Sequence, residues 1–126
     1  MIIKRFYDEV YRINVTYVTN CTLLDFLIKH KKNFNIDIMN MLNELIEKNP
    51  GGFHSTFSNE LGQIYFIWVE DKDDVPTLVH EIYHMINSIF EDREVHHGLQ
   101  NQETFAYYLS YWTKKFINSS KKKKKK

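Results

Sequence analysis

The chain has 126 residues, 43% of them hydrophobic and 15% aromatic, which is enough for one packed domain and excludes a disordered or fibrous protein. Its formal charge of +1 hides an asymmetry: residues 121–126 are six consecutive lysines, and without them eleven basic residues face 16 acidic ones, a formal charge of −5. An acidic body argues against a nucleic-acid-binding surface over the whole domain, and a single cysteine, Cys21, excludes an intrachain disulfide or a cysteine-built zinc site.

In chain order, IIKRFY and then VYRINVTYV interleave β-branched or aromatic residues with polar ones, and predict two strands within the first eighteen residues. Charges appear from Lys4 onward and no segment approaches 18 apolar residues, so neither a standard signal peptide nor a membrane span is expected, and the cytoplasm is the expected location. Thr22, with Asp25 three residues later, marks the start of a helix through TLLDFLIKHKK that ends before Asn33. The sequon 20-NCT-22 is read as the entry to that helix. A second amphipathic helix, IDIMNMLNELIEK, stops at 49-NPGG-52.

FHSTFS, a turn at 59-NELG-62 and the apolar run 64-IYFIWV-69 predict a hairpin with a well-buried second strand. Asp73 or Asp74 can cap the next helix, Pro76 suits its first turn, and Gly98 in 95-VHHG-98 can stop it after about Arg93. Asn101 then opens a last helix, 102-QETFAYYLSYWTKKF-116. The succession of strands and helices predicts an α+β domain over residues 1–117, with 118–126 as a disordered lysine-rich tail. That tail could touch phosphates, anionic lipid or acidic protein non-specifically; otherwise neither nucleic acid nor membrane is an expected partner.

The helix containing 80-HEIYH-84 carries the chemistry. Positions i and i+4 lie one turn apart and 40° around the axis, so His80 and His84 can ligate one metal ion, and zinc favours imidazole nitrogens in a tetrahedron with one position left for water. Glu81, 100° from His80, is placed to take a proton from such a water. At 100° steps, Val75, Leu78, Val79, Ile82, Ile86, Ile89 and Phe90 fall on one arc, the expected core face, with His80, His84, Asn87 and Glu91 opposite. Glu103 follows in the next helix, sharing a face with Ala106, Tyr107 and Ser110, and the small residues would let that face approach the histidines closely.

HEIYH followed by NQETFAYY resembles the gluzincin clan of zinc metallopeptidases and is similar to the minimal zincin-like proteins of bacteria and their phages. The resemblance covers residues 60–112. It implies a minimal zincin-like domain, a small mixed sheet or hairpin packed on the HExxH helix and the glutamate helix. It also implies Zn²⁺ held by His80, His84 and Glu103, with Glu81 as general base and a peptide or protein as substrate. The run IYFIWV would match the strand that borders the cleft and pairs with an extended peptide, giving Tyr65 and Ile67 substrate contacts. Thermolysin-like enzymes carry an aspartate four residues after the glutamate; Tyr107 stands there instead, and could act as the electrophile at the oxyanion, while His97, Tyr108 and Tyr111 could replace other missing groups, Tyr111 on the substrate side. The segment after His84 lacks the metzincin glycine and third histidine, His96 and His97 could reach the metal only through a loop, and His54 in its strand is given no metal role. A non-catalytic zincin-like module, binding another protein in a phage or mobile-element assembly, is the alternative to a peptidase.

Overall fold

A computed structural model describes residues 1–48, 50–59, 62–95 and 101–121. The chain forms strands β1 (Ile2–Asp8) and β2 (Ile13–Thr19), helices α1 (Leu23–His30) and α2 (Ile36–Lys48), strands β3 (Gly52–Asn59) and β4 (Gly62–Val69), and helices α3 (Val75–Asp92) and α4 (Gln102–Ser120). The fold is α+β, as the element order in the sequence implies. Local chemistry sets several of the boundaries: Thr22 Oγ1 accepts a hydrogen bond from Asp25 N at 3.1 Å, and the Asp74 side chain accepts one from Thr77 N with Pro76 in the first turn.

One mixed four-stranded sheet has the order β1-β2-β4-β3, antiparallel at both outer pairs and parallel between β2 and β4. A sheet covered on both sides needs interior strands that are apolar on both faces. In β4, Tyr65, Ile67 and Val69 face α3 and α4, whereas Phe66 and Trp68 face α1 and α2. The sheet is thus the middle of three layers. On the α3–α4 side, Tyr17, Ile82, Met85, Ile86, Phe90, Trp112 and Phe116 are fully buried, each worth about 1.5–3 kcal/mol relative to exposure. Phe116 stacks on Tyr17 with centroids 4.5 Å apart and on Phe6 at 5.6 Å, which pins the end of α4 across β1 and β2.

Four expectations change. Helix α4 continues to Ser120, itself buried, so the proposed domain boundary at 117 falls inside a helix that Phe116 anchors. Helix α3 is stopped by Glu94 in the left-handed conformation at φ 57°, with Val95 N donating to Phe90 O; Gly98 lies outside the described residues. Its core face takes in Glu81 and Met85, while Val75 is exposed. Lastly β4 is interior, so both of its edges are already paired, and among the described residues the edges without a strand partner belong to β1 and β3. Tyr65 and Ile67 are fully buried core residues rather than substrate contacts, and the Tyr65 hydroxyl donates to Asp92 Oδ2 at 2.5 Å.

Candidate functional site

Helix α3 carries His80, His84 and Ser88 in one row four residues apart, beside edge strand β3. The Nε2 atoms of His80 and His84 are 3.1 Å apart, with the rings nearly perpendicular. One of the two nitrogens must carry the proton that the other accepts. Zinc–nitrogen bonds of about 2.0–2.1 Å put two tetrahedral ligands roughly 3.3 Å apart, so the pair is spaced to hold two corners of such a site. Both histidines are exposed.

Glu81 occupies the core side of the same turn. It is only 7% exposed, and its Oε2 has no hydrogen-bond partner among the described residues. Burial pushes its carboxyl pKa up, and the neighbouring His80 and His84 pull it partly back. A buried acceptor left unpaired costs about 1–3 kcal/mol, so this one calls for an explanation beyond packing.

Strand β3 approaches α3 closely through Gly52. A Cβ there would stand 2.8 Å from Thr77 Cγ2, 3.0 Å from Trp68 O and 3.4 Å from Glu81 Cγ, so a glycine is what lets strand and helix meet. Two residues on, His54 takes the same face of the strand, because Phe53 and Phe57 fill the opposite layer. Its ring lies parallel to that of His84 with centroids 6.4 Å apart, and its Nε2 is 3.3 Å from Ser88 Oγ. Burial lowers the His54 pKa and the neighbouring His84 adds to the shift, which favours the neutral imidazole. From its place in a strand, His54 is not expected to be a metal ligand. The alternation of β3 gives its face, but only the sheet order shows that this face meets α3.

The remaining expected residues are not gathered here. Glu103 is exposed in the first turn of α4, and the described residues contain no group of three or more His, Cys, Asp or Glu side chains arranged to hold a metal ion. Helix α4 docks through Phe105, Tyr108, Leu109, Trp112 and Phe116, not through the Glu103, Ala106, Tyr107 and Ser110 face, which is exposed. The physical reason is area: large apolar residues at i, i+3, i+4, i+7 and i+11 bury far more surface than two small ones. Tyr107 and Tyr111 line a separate cleft with β1 residues. His96 and His97 lie outside the described residues. No family model, curated protein or solved structure matches the chain.

Proposed function

We propose that the chain is a zinc-dependent hydrolase of peptide bonds, with His80 and His84 as metal ligands and Glu81 as general base. The observation that carries this reading is the approach of the two Nε2 atoms to 3.1 Å, with the next residue after His80, Glu81, bearing a buried carboxyl oxygen that has no hydrogen-bond partner among the described residues. Bound zinc would supply Lewis acidity, polarising the scissile carbonyl and acidifying a water molecule. Glu81, whose carboxyl pKa burial raises, would be the group that accepts a proton from the attacking water and passes it to the leaving amine. The free edge of β3, beside the histidine row, offers main-chain groups to an extended peptide, a role that β4 cannot fill.

The third protein ligand is Glu103 by resemblance, and reaching the pair requires its helix turn to move from the arrangement described. Zinc binding and peptide cleavage test the proposal together. One zinc per chain, lost in His80→Ala, and turnover lost in Glu81→Gln with zinc retained, are the expected results. Undiminished cleavage by Glu81→Gln would overturn the mechanism. The exposed, separate position of Glu103 favours a second reading, a zincin-like binding module without turnover. Zinc uptake with no cleavage of an unbiased peptide library would select it.

A further inference from the structure

A second cleft, of about 610 Å³, opens between the β1–β2 turn and the exposed face of α4, and neither His80, Glu81 nor His84 borders it. We propose that this cleft binds an organic cation of the alkylammonium type. It is lined by Tyr7, Tyr11, Tyr107, Tyr108 and Tyr111, together with Asp8 and Glu9. The negative face of an aromatic ring attracts a cation within about 6 Å, and several such faces around one cavity form the usual receptor for a substituted ammonium.

Three observations choose a cation over an anion or a neutral apolar ligand. First, the lining carries two carboxylates and no basic side chain. Asp8 is 6% exposed and held in place: Oδ1 accepts from Val10 N at 2.8 Å, and Oδ2 accepts from the Tyr108 hydroxyl. An anion placed beside it would be repelled. Second, one of the lining rings, Tyr111, already takes an ammonium group against its face, from Lys115, which with Phe6 lies outside the lining. Lys115 Nζ lies 5.2 Å from the ring centres of Tyr111 and Phe6 and donates to the Tyr111 hydroxyl at 3.0 Å. Third, Tyr107 is 73% exposed, Tyr7 55% and Tyr111 47%, so three large rings sit around one concavity facing water. Burial and the adjacent Asp8 also push the Tyr108 and Tyr11 hydroxyls up, keeping these rings neutral over the physiological range.

The test is titration of the full chain with choline and with its uncharged isostere 3,3-dimethylbutan-1-ol, followed by calorimetry and by the tyrosine NMR signals. Choline is expected to bind at least about fivefold more tightly than the isostere, and Tyr107→Ala or Tyr7→Ala to weaken it by about two- to tenfold. Both rings are exposed, so these variants should melt as the parent does, and Tyr107→Phe should retain binding. Glu9→Gln should weaken choline and leave the isostere unchanged. Equal binding of choline and the isostere, or no saturable choline binding, or binding indifferent to both alanine variants, would overturn the proposal. Peptides carrying trimethyllysine identify the source of the cation: tighter binding than choline assigns it to a protein side chain, and equal or weaker binding to a free small molecule. The zinc reading plays no part in the outcome, since His80→Ala is expected to leave choline binding unchanged.

Discussion

Gly52 of β3 and Thr77 of α3 are in contact so close that a methyl group on Gly52 would lie 2.8 Å from Thr77 Cγ2. The same methyl group would press on Trp68 O, which is backbone and cannot turn away. Gly52→Ala should therefore push α3 off the edge strand and cost about 1–3 kcal/mol in chemical denaturation. Gly51→Ala, where nothing lies within 4 Å, should stay within about 0.5 kcal/mol of the parent. Equal stability of the two variants would show that β3 and α3 do not meet as described. Because Glu81 Cγ is the next neighbour, at 3.4 Å, the Gly52 variant should also lose hydrolytic activity beyond its loss of stability.

Metal analysis separates the candidate ligands. His80→Ala and His84→Ala should each abolish stoichiometric zinc binding, since either leaves a single nitrogen of the pair. Glu103→Ala tests the third donor: a clear fall in zinc affinity supports Glu103, and full affinity removes it from the site. If His80→Ala retained full zinc affinity, the helix would not be a zinc site.

Glu81→Gln should keep the fold and the zinc and lower turnover by at least about a hundredfold, the scale of a lost general base. The carboxyl group is the element tested, because glutamine preserves the shape of the side chain where it packs against β3.

His54 gives a pH prediction for the metal-free protein. Its folded pKa is depressed below 6.5 by burial and by His84, so on acidification the unfolded chain takes up a proton before the folded one does. Stability should hold above the unfolded value, then fall as the pH drops from about 6.5 through the folded pKa, and level off below it. Denaturation of His54→Gln across that range should show a shallower fall than the parent. An unchanged slope would mean that His54 is solvated and does not lie under α3.

The interior position of β4 makes Tyr65 a structural residue. Tyr65→Phe removes its hydrogen bond to the Asp92 carboxylate and should destabilise the domain by about 1–3 kcal/mol. Cleavage by the folded protein should be unaffected. A change in peptide KM with unchanged stability would restore Tyr65 to the substrate side.

Whatever depends on neighbours within a few residues was legible in the chain. The succession of strands and helices, the caps Thr22 and Asp74 and the one-turn spacing of His80 and His84 follow from periodicity and local hydrogen bonding, although β2 begins at Ile13 rather than Val10 and α4 runs on to Ser120. The helical period also places His80 and His84 away from the apolar stripe, and both are exposed. Glu81 was legible as an acid beside the histidines but not as a buried one, since its burial arises from β3, about thirty residues earlier in the chain.

Only the tertiary structure decided which surfaces meet. IYFIWV is apolar on both faces, and that pattern alone does not say whether the strand borders a cleft or lies between β2 and β3; the helix layers on both sides put it in the interior. The two faces of α4 were similarly ambiguous by spacing, and the larger apolar area of Phe105, Tyr108, Trp112 and Phe116 turned Glu103 and Tyr107 toward solvent. The same docking gathered Tyr7, Asp8 and Tyr11 with Tyr107 and Tyr111 around one cleft, although about a hundred residues separate the two groups. Local rules fix which side chains an element presents, whereas the contacts between elements follow from competition among all the apolar surfaces of the chain at once, and that competition is settled only in the folded state.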